Sequence, residues 1–311
     1  MSKVAVVGAG AWGIALAAQA LRAGSEVVLW ARDPATAGRR LPGALPPEVA
    51  VTAALPGAGF DAILLAVPVQ HLRGVLAGWR PQAPVVVCAK GIEAGTLQLP
   101  LQTLAELHPA VPAAVLSGPN FAGEIASGKP AAAVIAAADP ALRAKLIGLL
   151  ASPGFRLYGN DDPIGAGLGG AAKNVIAIAA GAVIGAGLGE NARAALITRG
   201  LAELRRLVVA LGGRAETVAG LSGLGDLLLT CTGGSSRNFR CGLALGRGEA
   251  LDAIVRDSAG VIEGVATAPA LIARADGVEL PICAAVAALL GGRLTIEDAI
   301  VTLLTRPMRD E

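Results

Sequence analysis

The stretch Lys3-Val4-Ala5-Val6-Val7-Gly8-Ala9-Gly10-Ala11-Trp12-Gly13 decides the fold. Five residues form an apolar run, glycines follow in the pattern G-x-G-x-x-G, and residues 11–22 have helix-forming composition. A second apolar run begins at Glu26. In a chain with 42 glycines the six-residue string alone could arise by chance. Its weight comes from its place between a buried strand and a helix, with another strand about a dozen residues on. Each glycine then has a physical task. Gly8 permits the tight turn, Gly10 lets backbone N–H groups approach a pyrophosphate, and Gly13 allows close helix–strand packing. The helix start adds free N–H donors and a partial positive charge, so a dinucleotide is the expected ligand.

Outward from this turn, residues 61–67, 85–88, 113–116 and 131–136 read as further strands bounded by Pro or Gly. Strands that are apolar throughout, separated by helices, predict a parallel sheet covered on both faces. After about Pro163 the pattern becomes helical. In residues 191–211, Ile197, Leu201, Leu204, Val208 and Leu211 share a face, with Arg199, Glu203 and Arg206 on the other. Gly212-Gly213 ends that helix, and further helices are expected over 266–275, 282–290 and 296–304. The predicted class is α/β: an N-terminal Rossmann-type, mostly parallel sheet over 1–162, then an all-helical substrate-binding domain over 163–311. Gly, Asn, Asp and Pro cluster at the boundary, near residues 158–165.

Composition narrows the function. The net charge is +2 and there are three Trp, one Tyr and four Phe. Neither an electrostatic footprint nor a stacking platform for nucleic acid follows. The apolar run 175–189 is shorter than the roughly 20 residues of a membrane span, so a buried helix is expected and stable membrane insertion is not. No cleavage-type segment precedes the first strand, and a cytoplasmic protein is expected. Cys88, Cys231, Cys241 and Cys283 lie far apart, as do His71 and His108. Buried reduced thiols are expected, and no metal centre.

At the end of the second strand stand Arg32 and Asp33. An acid there suits the ribose hydroxyl of NAD(H), whereas an arginine suits the 2′-phosphate of NADP(H). The reading leans to NADP(H), with NAD(H) open. Four segments then place polar residues in apolar surroundings. Lys90 follows a predicted strand, at the sheet edge where ligands bind. Ser117-Gly118-Pro119-Asn120 ends another strand. Lys173-Asn174 opens the most apolar run, where burial would bring a lysine towards a proton-transfer range. Asp226 is an isolated acid among leucines, and Ser235-Ser236-Arg237-Asn238 before a helix offers donors for a phosphate.

These segments, in this order, resemble the bacterial NAD(P)-dependent glycerol-3-phosphate dehydrogenases. The resemblance runs through GAGAWG (8–13), AKGIE (89–93), SGPNFA (117–122), AKNVIAIAAG (172–181), GLGDLLLTCT (223–232), SSRN (235–238) and VIEG (261–264), essentially the whole chain. It implies reversible hydride transfer between NAD(P)H and dihydroxyacetone phosphate, giving sn-glycerol 3-phosphate for phospholipid synthesis. By resemblance Lys173 is the general acid/base and Lys90 touches substrate and cofactor. Asp226 holds the lysine and a substrate hydroxyl, and Thr230 assists. Gly118, Asn120, Asn174, Ser236, Arg237 and Asn238 would bind substrate. Gly8, Gly10, Ala11, Trp12, Gly13, Arg32, Lys90, Ala122, Arg237, Val261 and Glu263 would bind cofactor, and the enzyme would be a homodimer. The family usually has Ser or Thr where this chain has Asn120; a carboxamide also donates and accepts hydrogen bonds.

Two other readings share the glycine turn. A related reductase of the ketopantoate-reductase kind would keep a catalytic lysine without needing GLGD or SSRN. A non-catalytic NADP(H) sensor would lack Lys173 or Asp226.

Overall fold

A computed structural model of the protein describes residues 1–304; the predicted second domain's last residues, 305–311, lie outside the described residues. The first half alternates strand and helix: β1 (Lys3–Val7), α1 (Ala11–Arg22), β2 (Glu26–Trp30), β3 (Ala50–Thr52), β4 (Ala62–Leu65) and α2 (Val69–Ala77). It continues through β5 (Val85–Val87), α3 (Pro100–Leu107), β6 (Ala113–Ser117), α4 (Ala122–Ala126), β7 (Ala131–Ala136), α5 (Pro140–Leu150) and β8 (Phe155–Asn160). The strands form one sheet in the order β3-β2-β1-β4-β5-β6-β7-β8. The strand order runs outward from β1 in opposite senses, to β2 on one side and β4 on the other, which leaves a crevice at the carboxyl edge, above the glycine turn.

Two features of the sheet differ from the expectation. β7 runs antiparallel to β6. The helix between them, α4, has five residues and rises only about 8 Å. That falls short of the roughly 17 Å length of a strand, so α4 is too short to serve as the crossover helix of a parallel pair. β3 and β8 were also unforeseen. β8 is an edge strand whose Gly159 and Asn160 sit where the sequence suggests a loop.

The second half is helical: α6 (Pro163–Gly185), α7 (Gly189–Ala210), α8 (Ala215–Ala219), a π turn (Leu221–Gly225), α9 (Asp226–Thr232) and α10 (Arg237–Gly246). It ends with α11 (Leu251–Asp257), α12 (Glu263–Arg274), α13 (Pro281–Leu290) and α14 (Ile296–Leu304). α6 is apolar on every side because α7, α9, α10, α12 and α13 all pack on it. It is long and apolar enough to cross a membrane, yet most of it is buried inside the protein. The helix starts ten residues before Lys173, so the Lys173-Asn174 pair lies mid-helix and not at the start of the helix as the sequence suggested.

A second correction concerns α7. Glu203 does not face solvent; it is 1 % exposed. Its carboxylate accepts the N–H groups of Ile282 (2.6 Å) and Cys283 (3.1 Å), capping the start of α13 from another helix. Burial raises its pKa, and the two backbone donors oppose that rise.

The contact that sets the site's frame is α6 against α10. A side chain at Gly181 would overlap the carbonyl of Phe239, and one at Gly242 the carbonyl of Ile178. The two backbones approach to this distance only because both positions lack Cβ. Gly242→Ala should therefore lower stability by about 3 kcal/mol. Gly74→Ala in α2, where nothing lies within 4 Å of the new methyl, should be neutral or stabilise by up to about 1 kcal/mol. Denaturant unfolding of the two variants measures the contrast.

Candidate active site

The glycine turn has the geometry its sequence suggested. Gly8 has φ +118°, and a Cβ there would lie 2.8 Å from the carbonyl oxygen of Ala66. A Cβ at Gly13 would collide with the carbonyl of Gly8. Gly10 faces open space and is the N-cap of α1, with no side-chain cap and no acid in the first turn. The first-turn N–H groups, including that of Ala11, are left for an anionic ligand, so this cradle fits a dinucleotide pyrophosphate. Trp12 donates its indole N–H to the carbonyl of Cys88 (3.2 Å), tying α1 to the strand end that carries Lys90. Asp33 accepts the N–H of Ala35 on Oδ1 (3.1 Å), and both Arg32 and Asp33 are exposed.

Across the crevice three charges meet. Asp226, 0 % exposed, opens α9 directly after the π turn. Its Oδ2 takes a hydrogen bond from Lys90 Nζ at 2.6 Å, and its Oδ1 one from Lys173 Nζ. Lys90 also donates to the carbonyl of Gly118 (3.1 Å). Lys173 is 7 % exposed, so it does not reach out to solvent. Burial pulls its pKa down to about 8; Asp226 opposes that fall and the Lys90 charge adds to it. The arrangement is an ammonium held ready to lose its proton, beside a second cation able to polarise an oxygen. Thr230 donates to the backbone carbonyl of Asp226 (2.6 Å), so it braces the first turn of α9 and does not reach Lys173.

The Ser-Arg-Asn segment opens α10. Ser236 caps that helix, accepting the N–H of Phe239 (3.2 Å). Asn238 donates to Asn174 Oδ1 (2.8 Å) and accepts the N–H of Gly264 (2.9 Å), joining α10, α6 and α12. Arg237 packs beneath Gly260, where a Cβ would sit 2.5 Å from its guanidinium. Burial raises the Glu263 pKa to about 7, with the positive charge of Arg237 opposing it. Val261 is exposed nearby, and Ala122, at the start of α4, is half-buried. Asn120 donates to the carbonyl of Ala132 (3.3 Å), while its Oδ1 is buried without a partner.

Four buried hydroxyls have no hydrogen-bond partner among the described residues, those of Ser25, Ser117, Ser222 and Thr267, and of these the sequence reading singled out only Ser117. Ser117 and Thr267 lie where the sheet and the helical half meet, Thr267 Oγ1 being 3.1 Å from where a Cβ at Gly91 would sit. A Cβ at Gly170 would lie 3.4 Å from Ser117 Oγ and 3.1 Å from Lys90 Cγ. Ser117 immediately precedes Gly118, and Ser222 lies four residues before Asp226. Proximity in sequence to chosen residues was the available signal.

A dinucleotide cradle facing a buried lysine–carboxylate–lysine cluster defines a nicotinamide-dependent dehydrogenase built from a sheet and a helical layer. The comparisons with known proteins make that class specific. The model of the NAD-dependent glycerol-3-phosphate dehydrogenase N-terminus matches residues 3–143, and that of its C-terminus residues 162–301. The chain belongs to the NAD-dependent glycerol-3-phosphate dehydrogenase family. It is 58 % identical to a glycerol-3-phosphate dehydrogenase [NAD(P)+] of Acidiphilium cryptum, over 99 % of this chain and 98 % of that one. A protein of the same name from Caulobacter vibrioides is 51 % identical over 99 % and 98 %. The crystal structure of glycerol-3-phosphate dehydrogenase from Coxiella burnetii superposes with a TM-score of 0.93 at 37 % identity, covering 98 % of this chain and 99 % of that one.

Asp226→Asn should leave two buried ammonium groups facing each other and cost about 3 kcal/mol of stability near neutral pH. Lys173 would titrate lower still, binding its proton less in the folded than in the unfolded chain. Below about pH 8 the wild-type Lys173 keeps a proton that the variant's has lost, so the loss should shrink as pH rises towards about 8 and level off above it. Urea unfolding across that range tests the sign.

Proposed function

We propose that the protein transfers hydride reversibly between NAD(P)H and C2 of dihydroxyacetone phosphate, forming sn-glycerol 3-phosphate. The observation that carries this reading is the buried Lys90–Asp226–Lys173 cluster at the carboxyl edge of the sheet. The nicotinamide, when bound, supplies or accepts the hydride. Lys173 gives its Nζ proton to the substrate's carbonyl oxygen during reduction and, as a neutral amine, takes it back during oxidation. Lys90 polarises the same oxygen and contacts the cofactor. Asp226 keeps the two lysines together and accepts a hydrogen bond from a substrate hydroxyl.

Arg237 clamps the substrate phosphate, with Ser236 beside it, and also faces the cofactor. Gly118 and Asn120 line the substrate site, the free Oδ1 of Asn120 being an acceptor for it. Asn174 and Asn238 serve the substrate by holding α6 and α10 in register, and Thr230 by steadying Asp226. Gly8, Gly10, Ala11, Trp12, Gly13 and Arg32 bind the dinucleotide from the sheet side, and Ala122, Val261 and Glu263 close on it from beyond. The exposed Arg32 at the end of β2 supports NADP(H), and the exposed Asp33 beside it keeps NAD(H) open.

The chain divides into a dinucleotide domain, 1–162, and a substrate domain, 163–311. The product would serve phospholipid synthesis in the cytoplasm, without membrane insertion; the burial of α6 supports that. Homodimerisation is supported by exposed apolar residues on the helical half, such as Val209, Leu228 and Val255.

Absorbance of NADPH and NADH in the presence of dihydroxyacetone phosphate tests the reading; oxidation of neither sinks it. Lys173→Ala should cut kcat about 10³-fold. In the wild type, reduction should decline as pH rises through about 8, because the ammonium form is the acid, while the reverse reaction gains. Arg237→Ala should raise KM for dihydroxyacetone phosphate about tenfold or more, and an unchanged KM would reject the phosphate clamp.

A further inference from the structure

Glu93 closes the segment Ala89-Lys90-Gly91-Ile92-Glu93 and has no part in the proposed chemistry, yet it is only 8 % exposed. Burying a carboxylate is costly, so its partners matter. Arg73, on α2, donates Nε to both carboxylate oxygens at 3.0 Å and Nη2 to Oε2 at 2.9 Å. The same guanidinium reaches Gln98 (3.0 Å) and Glu106 (2.9 Å), and Thr96 donates to Glu93 as well. Burial alone would raise the Glu93 carboxyl; the Arg73 hydrogen bonds reverse that and hold it below the usual carboxylate range.

The backbone around Glu93 is equally constrained. Its N–H donates to Gln98 O (2.9 Å), and Leu97 N–H donates back to Glu93 O (3.0 Å). Gln70, also on α2, donates to Ile92 O (2.9 Å) and accepts the N–H of Ala94 (3.0 Å), gripping the chain on either side of Glu93. Arg274 of α12 donates to Leu97 O from the helical half. Between Glu93 and Lys90 the chain has no slack. Gly91 has φ +154°, and a Cβ there would lie 3.1 Å from Thr267 of α12 and 3.2 Å from Val69 of α2.

We propose that the Arg73–Glu93 pair is a positioning device that fixes the chain three residues beyond Lys90, and so holds the Lys90 ammonium against Asp226. This rests on the role given to Lys90 above. Neither Arg73 nor Glu93 touches Lys90, Asp226 or Lys173 through any hydrogen bond in the structure; the effect runs through the backbone of residues 90–93. The charged groups around Lys173 are Asp226 and Lys90, with the Cys231 thiol also within electrostatic reach.

A double-mutant cycle separates positioning from general support of the fold. Glu93→Gln should lower kcat/KM for reduction about tenfold in the wild type, a displacement of Lys90 being enough for that. In a Lys90→Ala background the same change should cost less than about twofold, because no ammonium remains to be placed. The alkaline limb of the wild-type pH profile should also move to higher pH in Glu93→Gln, since a retreating Lys90 no longer repels the Lys173 proton. Arg73→Lys keeps the charge but loses the fork and should behave alike; it replaces Glu93→Gln if that variant does not fold. Equal losses in both backgrounds with an unmoved limb would overturn the positioning role alone. A Lys90→Ala enzyme with wild-type turnover would overturn the role of Lys90 itself, and the proposal with it.

Discussion

The site depends on one carboxylate with no exposed surface. Asp226 is fully enclosed, and an isolated ion in that position would be untenable; two ammonium groups on its two oxygens make it tolerable. The converse also holds, because neither lysine could be this buried without the acid between them. The three groups come from a strand end, the middle of the central helix and a helix that begins after a π turn. Folding must bring all three together before any one of them is stable where it lies. Such a cluster makes the sheet and the helical layer a single electrostatic unit.

Much of the surrounding architecture follows from the space that this cluster requires. α6 carries Lys173, so it must lie at the molecule's centre, and its other faces must be apolar. Close approach of its neighbours then calls for glycine. A Cβ at Gly169 would strike the backbone carbonyl of Ser222, and one at Gly170 would crowd the Lys90 side chain. The Asn174–Asn238 hydrogen bond sets where α10 begins, and with it where Arg237 stands relative to Lys173. The distance from Lys173 to Arg237 is therefore a property of helix packing, not of a loop.

The fold was legible wherever burial was uniform. β1, β2, β4, β5, β6 and β7 are short apolar runs with a strand on both sides in the sheet, and their continuous apolar composition announces them. β3 and β8 lie at the sheet's edges, where one side is open and polar residues are tolerated, so they resembled loops. Lys173, Lys90 and Asp226 were legible for a related reason: a lone charge inside an apolar run is expensive and needs an explanation. Glu203 was misread by the same arithmetic. Its spacing puts it among arginines, and only the start of α13, packed against it from eighty residues away, supplies the donors that make its burial acceptable. The burial of the Ser117, Ser222 and Thr267 hydroxyls without partners has no counterpart in one dimension, where only nearness to Gly118 and Asp226 marks the first two.

The amino-acid sequence by itself determined the glycine turn, because a backbone with φ +118° and a helix start free of caps are local properties of Gly8 and Gly10. It also determined which residues would be costly to bury, and its family-wide motifs carried the class of chemistry. Only the tertiary structure decided how those costs are met. It pairs one carboxylate with two lysines and sets Arg73 on Glu93 behind Lys90. Those outcomes depend on distances between residues far apart in the chain, and Coulomb energy and desolvation both depend steeply on distance.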